Sequence, residues 1–226
     1  MKATVMMPLC LGMALLTAQA GAAPTIYPVD TARFLGTSKF DFKVEFDQEL
    51  KESDIDVRIN GKSVAEVFGT RPEFIRNEDG KGSAVILRNV SLDPGKYTVT
   101  ARDGKDESSA KWDVYGTPDT PKAKNVILLI ADGLSMGHRT GARLLSKGVT
   151  NGMYNGYLSM DTLPYTGMLG TCSVDSIAAD SANTASAYMT GHKSSVNAIG
   201  VYADRTKDPF DDPRQETIAE LLRRKT

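Results

Sequence analysis

The chain is poor in the residues that most often announce a site. It has two histidines and two cysteines in 226 residues. His138 and His192 form neither an H-x-x-x-H nor an H-E-x-x-H pair, which excludes the helix-borne zinc motif of metalloproteases. Cys10 and Cys172 cannot define a disulfide framework. An excess of one charge is also missing. A formal net charge of −1 gives no footing for a nucleic-acid partner or a polybasic membrane contact. What remains, 41% hydrophobic and 24% charged residues, is the composition of a globular protein of one or two domains.

The N-terminus carries the first positive signal. Lys2 precedes an apolar run over 5–16, and small residues follow, including Ala18-Gln19-Ala20. A charged start, an apolar middle and an A-x-A site are the parts of a secretory signal peptide. The run is too short for a stable membrane span. Residues 1–22 are therefore expected to be removed, with cleavage after Ala20 or Ala22. The mature chain is expected in the periplasm or outside the cell, with Cys172 as its single cysteine.

Residues 24–116 read as all-β. Phe40, Phe42, Val44 and Phe46 alternate with Asp41, Lys43 and Glu45, which predicts a half-buried strand with a solvated charged face. Residues 55–59 alternate again and run into Asn60-Gly61, a hairpin turn. Further strands are expected over 84–87, 96–102 and 110–115, with turns at Leu92-Asp93-Pro94-Gly95 and Asp103-Gly104. Short strands between turn signals predict an immunoglobulin-like or fibronectin-like sandwich, with Trp112 in its core. No grouping of histidine, cysteine or acids here points to catalysis. Residues 117–124, rich in proline and polar residues, read as a linker.

Beyond the linker the composition changes. The apolar run 126–130 predicts a strand buried on both faces, and 136–147 predicts a helix closed by Gly148. Strand followed by helix implies an α/β fold, whose ligands bind beyond the carboxyl ends of the strands. Asp132 stands at that end, where a carboxylate suits a hard cation, although spacing alone favours a helix cap or turn. His138 and His192, taken singly, read as surface or core residues. A further strand is expected over 165–171, and Cys172 as a small buried hydrophobe. A last helix is expected to start at Asp212-Pro213, with Ile218, Leu221 and Leu222 on one face.

The stretch Asp180-Ser181-Ala182-Asn183-Thr184-Ala185-Ser186-Ala187-Tyr188-Met189-Thr190-Gly191-His192-Lys193 is nearly all small residues. An acid and a serine at its front and a glycine at its back predict a short helix over about 181–190. Its start offers backbone N–H groups and partial positive charge to a phosphate. Ser181 lacks a G-x-S-x-G frame and a nearby histidine base, so as a nucleophile it needs a metal or another activator. A cation held at Asp132 would supply one.

Ile130-Ala131-Asp132-Gly133, the 180–193 stretch and Asn197-Ala198-Ile199-Gly200-Val201 together resemble the alkaline phosphatase family, over about 125–226. The resemblance implies phosphate monoester hydrolysis with two zinc ions and one magnesium ion. It makes Asp132 the carboxylate bridging one zinc and the magnesium. Ser181 becomes the metal-bound nucleophile that turns into phosphoserine, and Asp180 the acid that orients a phosphate-binding arginine. It implies an alkaline-phosphatase-like sheet with flanking helices, incomplete here, and a homodimer in a full-length parent. Three points depart from the pattern. Ala131 stands where glycine is common, and the sandwich is no part of the common core. The remaining metal ligands and the arginine come from later sequence, so the chain reads as an inactive fragment. Related sulfatases or phosphodiesterases, and a secreted protein that binds through its sandwich, are the alternative readings.

Overall fold

The computed structural model describes residues 22–120 and 122–226; the signal peptide expected over 1–22, apart from Ala22, and with it Cys10, lies outside the described residues. The first part contains β1 (Thr25–Tyr27), β2 (Arg33–Leu35), β3 (Phe40–Glu45), β4 (Asp56–Ile59), β5 (Lys62–Ser63), α1 (Val64–Phe68), β6 (Glu73–Ile75), β7 (Ala84–Val90), β8 (Gly95–Arg102) and β9 (Glu107–Tyr115). One sheet has the order β1-β3-β7-β6 and the other β2-β9-β8-β4-β5. All pairings in the two sheets are antiparallel except β2 with β9.

Both sheets feed one core. Phe40, Phe42, Val44, Val85 and Leu87 come from one layer, and Phe34, Ile59, Val99, Ala101, Ala110 and Trp112 from the other. The alternation along β8 sets this directly, since Val99 and Ala101 face inward and Lys96 outward. Trp112 is buried as expected, and its indole N–H donates to the Pro28 carbonyl at 3.0 Å. At Asn60-Gly61 both residues have positive φ, which gives the tight β4–β5 hairpin its twist.

The other face of β3 overturns an expectation. Asp41, Lys43 and Glu45 are buried like their apolar neighbours. Residues 201–216 cover them. Lys43 is 1% exposed and its ammonium meets Asp204 at 2.5 Å, Glu78 at 2.9 Å and Glu45 at 3.2 Å. Burial pulls the Lys43 pKa down, but the hydrogen bonds that the ammonium donates to Asp204 and Glu78 and the charge of Glu45 outweigh it and leave it raised. Arg205 spans the same layer and donates to the carbonyls of Phe46 (2.6 Å) and Ser83 (2.7 Å). Asp41 accepts the Arg214 N–H at 3.2 Å and pairs with Arg88 at 3.0 Å. Charge alternation marked the face as polar, but distant residues decided that it would be dry.

The second part contains α2 (Met136–Lys147), β10 (Val149–Thr150), β11 (Met153–Tyr154), α3 (Ser181–Thr190) and α4 (Ile218–Lys225). α2 and α3 fall on the expected residues, because each has a capping box in front and a positive-φ glycine behind. Two expected strands do not form. Residues 126–130 have no regular structure and are 52–86% exposed at Val126, Ile127, Leu128 and Ile130 and 90% at Leu129. Residues 165–171 are likewise irregular and exposed. A strand buried on both faces needs pairing partners for its backbone, and none flanks either run among the described residues. The last helix starts at Ile218, later than expected, with Thr217 as cap. Residues 214–216 are instead tied to the sandwich: Phe40 bridges Gln215, and the Glu216 N–H donates to the Lys39 carbonyl at 2.8 Å. Among the described residues no helix is long and apolar enough to cross a membrane.

Lys43→Met leaves buried Asp204 without its cation and Glu45 and Glu78 with Arg205 alone, and should destabilise the chain by about 3–5 kcal/mol in urea unfolding. Arg58→Ala removes an ion pair that is 49% exposed on both sides and should leave the urea midpoint nearly unchanged.

Candidate active site

Asp132 lies in the turn between the 126–130 run and α2. The Leu134 N–H donates to the Ala131 carbonyl at 3.2 Å, and Gly133 takes φ +72. Ser135 then caps α2 and exchanges hydrogen bonds with His138, whose Nδ1 lies 2.9 Å from the Ser135 hydroxyl. His138 thus serves the start of the helix.

Ser181 is the first residue of α3, and its hydroxyl donates to Asp132 Oδ2 at 2.9 Å across 49 residues of chain. Both side chains are exposed. Asp180, not Ser181, is the cap. Its Oδ1 accepts the N–H groups of Ala182 (2.7 Å) and Asn183 (3.0 Å), and its Oδ2 accepts the Asn197 N–H at 2.6 Å. These bonds, that of Asn197 foremost, hold the carboxyl below the usual carboxylate range. The helix-start amides of Ala182 and Asn183, expected to be open to a phosphate, are therefore taken by the protein's own carboxylate. No arginine is among the hydrogen-bond partners of Asp180 in the described residues.

The small residues of α3 pack through polar contacts. Asn183, Ser186 and Thr190 are buried on one side. Ser186 donates to the Ala198 carbonyl at 3.2 Å and accepts the Gly200 N–H at 2.8 Å. A methyl-sized side chain with one hydroxyl lets the 197–200 loop approach and satisfies its backbone. The role of Asn197 escaped sequence reasoning; its φ of +61 shows only in the folded loop.

His192 is a core residue. It is 2% exposed, its ring stacks on Phe34 at 4.7 Å, and Nδ1 lies 3.2 Å from the Tyr202 hydroxyl. Burial pushes its pKa down to about 3. Cys172 is exposed, against expectation, with Lys193 Nζ 2.7 Å from its sulfur. That ammonium draws the thiol below its ordinary value.

Asp132 and Ser181 offer two hard oxygen donors on one surface, which suits a divalent cation in kind. Zinc takes four ligands, or three and a water at a catalytic site. Neither histidine joins the pair, so the described residues fall short of a zinc ligand set. The one grouping of three carboxylates among them, Asp204, Asp211 and Asp212, includes neither residue. Its oxygens are engaged with Lys43, Thr206 and the Asp204 N–H.

A serine that opens one helix is thus hydrogen-bonded to a carboxylate that precedes another. Residues 123–224 match the model of the family described as alkaline phosphatase. Alkaline phosphatase of Gadus morhua is 34% identical over 104 residues, 45% of this chain and 22% of that protein. The tissue-nonspecific isozyme of Gallus gallus is 32% identical over 102 residues, 45% of this chain and 20% of that protein. Alkaline phosphatase 4 of Drosophila melanogaster is 33% identical over 144 residues, 61% of this chain and 22% of that protein. The chain thus spans about a fifth of the length of these curated relatives. Among solved structures, CopC from Methylosinus trichosporium OB3b aligns with 45% of this chain and 97% of its own, at 15% identity and TM-score 0.30. The human B7-H4 IgV-like domain aligns with 42% and 96%, at 18% identity and TM-score 0.26. The sandwich described above rests on its own two sheets, not on these likenesses.

Asp180→Ala removes the α3 cap and should lower the urea midpoint at pH 7. Because the folded pKa is depressed, that stabilisation is present above the unfolded value near ~3.9 and lost as pH falls below it. The variant and parent should therefore converge in urea unfolding at low pH. His192 is held neutral below its ordinary 6.5, so the unfolded chain binds its proton first. Stability should fall as pH drops from that value toward about 3, by at most about 1.4 kcal/mol per pH unit, and His192→Phe should flatten this slope.

Proposed function

We propose that this chain is the nucleophile-bearing part of an exported phosphate monoesterase that works through a phosphoserine on Ser181. The 2.9 Å hydrogen bond from Ser181 to Asp132 carries the reading, because it joins the two motif residues across 49 positions at the start of a helix. The segment match to alkaline phosphatases supports the reaction class.

In this reading the Ser181 oxygen attacks phosphorus in line, an O–P bond forms, the ester bond breaks, and the hydroxyl proton ends on the departing alcohol oxygen. Asp132 accepts the Ser181 hydroxyl hydrogen in the resting state and so fixes the direction of the oxygen lone pairs. Asp180 holds the first turn of α3 and Asn197 together, which keeps that oxygen at a set height above the helix start. Asp132 and Ser181 are the residues here that would hold metal. Two zinc ions and one magnesium ion, when bound, would neutralise the charge that develops on the phosphoryl oxygens and ease deprotonation of the serine. Water then cleaves the O–P bond of the phosphoserine and releases phosphate.

Two oxygens do not make the full ligand set, so the 226-residue chain alone should show no zinc-dependent hydrolysis of p-nitrophenyl phosphate. Steady turnover by this purified chain would count against the reading. In a longer polypeptide that supplies further ligands, acid quench during turnover of a labelled monoester should trap phosphate on Ser181. Ser181→Ala should abolish the label and cut turnover on the order of a thousandfold or more. Label at another residue, or faster turnover of phosphodiesters or sulfate esters, would redirect the assignment.

A further inference from the structure

The sandwich grips both ends of the Ser181 helix. At its C-terminal end, the Arg33 N–H on β2 donates to the Gly191 carbonyl at 3.0 Å. Gly191 takes φ +79, and a Cβ there would lie 1.6 Å from the Arg33 carbonyl oxygen, so the two backbones touch. His192 follows and stacks on Phe34 of the same strand. Its other neighbour, Tyr202, takes the Val29 N–H on its hydroxyl at 3.3 Å and packs on Tyr27 at 5.3 Å.

The N-terminal end is reached by another route. On β3, the Asp41 N–H donates to the Arg214 carbonyl at 2.8 Å, and its carboxylate accepts the Arg214 N–H. Arg214 bridges Val201, and the Gln215 N–H donates to the Gly200 carbonyl at 2.9 Å. Gly200 in turn donates to Ser186, and Asn197 to Asp180, one residue before Ser181. Every link is a backbone or short side-chain hydrogen bond, so little slack accumulates.

We propose that the β-sandwich is a positioning domain for Ser181: β2 and β3 hold the two ends of α3 and so aim the Ser181 hydroxyl at Asp132. A ten-residue helix is about 15 Å long, so a tilt of about 10° at one anchor moves the other end by about 2–3 Å. Misplacement by about 1 Å can cost a hundredfold in rate, so a helix held at one end alone would not serve. The sandwich is in this view a brace within the site, not an appended binding module. Its functional meaning rests on the reading of Ser181 as the reacting serine, whereas its geometry is testable without turnover.

The test uses the full chain with Cys10→Ser and Cys172→Ser, and Ser181→Cys as reporter. Thiolate absorbance gives the reporter pKa. A carboxylate within hydrogen-bond reach raises it, so Asp132→Asn should lower it by about half a unit or more. Tyr202→Phe, which removes only a hydroxyl, and Gly191→Ala should each lower it in the same direction, while β8 and β9 amides keep their exchange protection. Val99→Ala, a core truncation in β8, should destabilise the sandwich and leave the reporter pKa alone. An unchanged pKa in both Tyr202→Phe and Gly191→Ala would overturn the proposal, as would an equal shift in Val99→Ala. If Gly191→Ala fails to fold, Asp41→Asn replaces it with the same expectation. Failure to trap phosphoserine would sink the assignment of Ser181 and leave these titrations standing, so the two failures are distinct.

Discussion

An ammonium group in a dry interior stays charged only where carboxylates surround it, and Lys43 is such a group. At 1% exposure it needs Asp204, Glu78 and Glu45 around it. Glu45 lies on its own strand, Glu78 lies before β7, and Asp204 comes from far along the chain. Residues 201–216 are thereby committed to lie over β3. With them in place, Arg205 closes on the Phe46 and Ser83 carbonyls and Asp41 takes Arg214. The placement of Asp204, Arg205 and Arg214 follows from filling that charged face. β3 ends with two cores, an apolar one inside the sandwich and an ionic one outside it.

The site inherits its order from this packing. α3 has little apolar surface of its own. Its buried side carries Asn183, Ser186 and Thr190, which satisfy the backbone of the neighbouring loop and the helix itself. Such a helix is poorly anchored by hydrophobic burial and depends on hydrogen bonds with fixed lengths and directions. That suits a helix whose first residue must present a hydroxyl to a carboxylate. It also explains why His192 is sealed against Phe34 and Tyr202, since one aromatic plug gives the C-terminal end the burial that α3 lacks.

Much of the local structure was legible in the residues. α2 and α3 are bounded by caps and glycines that act within a few positions, so their ends could be read from the chain. The strands around Val99 and Trp112 showed as period-two alternation. The misreadings share one cause. Residues 126–130 look like a buried strand, but a strand exists only with a paired neighbour. Asp212-Pro213 looks like a helix start, but Gln215 and Glu216 are held extended against Phe40 and Lys39. Cys172 looks apolar, but Lys193 stands beside its sulfur.

The sequence by itself determined the β-rich first part, the two capped helices, and the motifs in which Asp132, Asp180 and Ser181 stand. These depend on side-chain periodicity, capping and turn geometry, which act over a few residues. Only the tertiary structure decided that Ser181 bonds to Asp132, that Asp180 occupies the helix-start amides, that His192 is core, and that Lys43 is buried. Each of those depends on desolvation or on contacts between residues far apart in the chain. No local pattern reports whether water or another segment will cover a face.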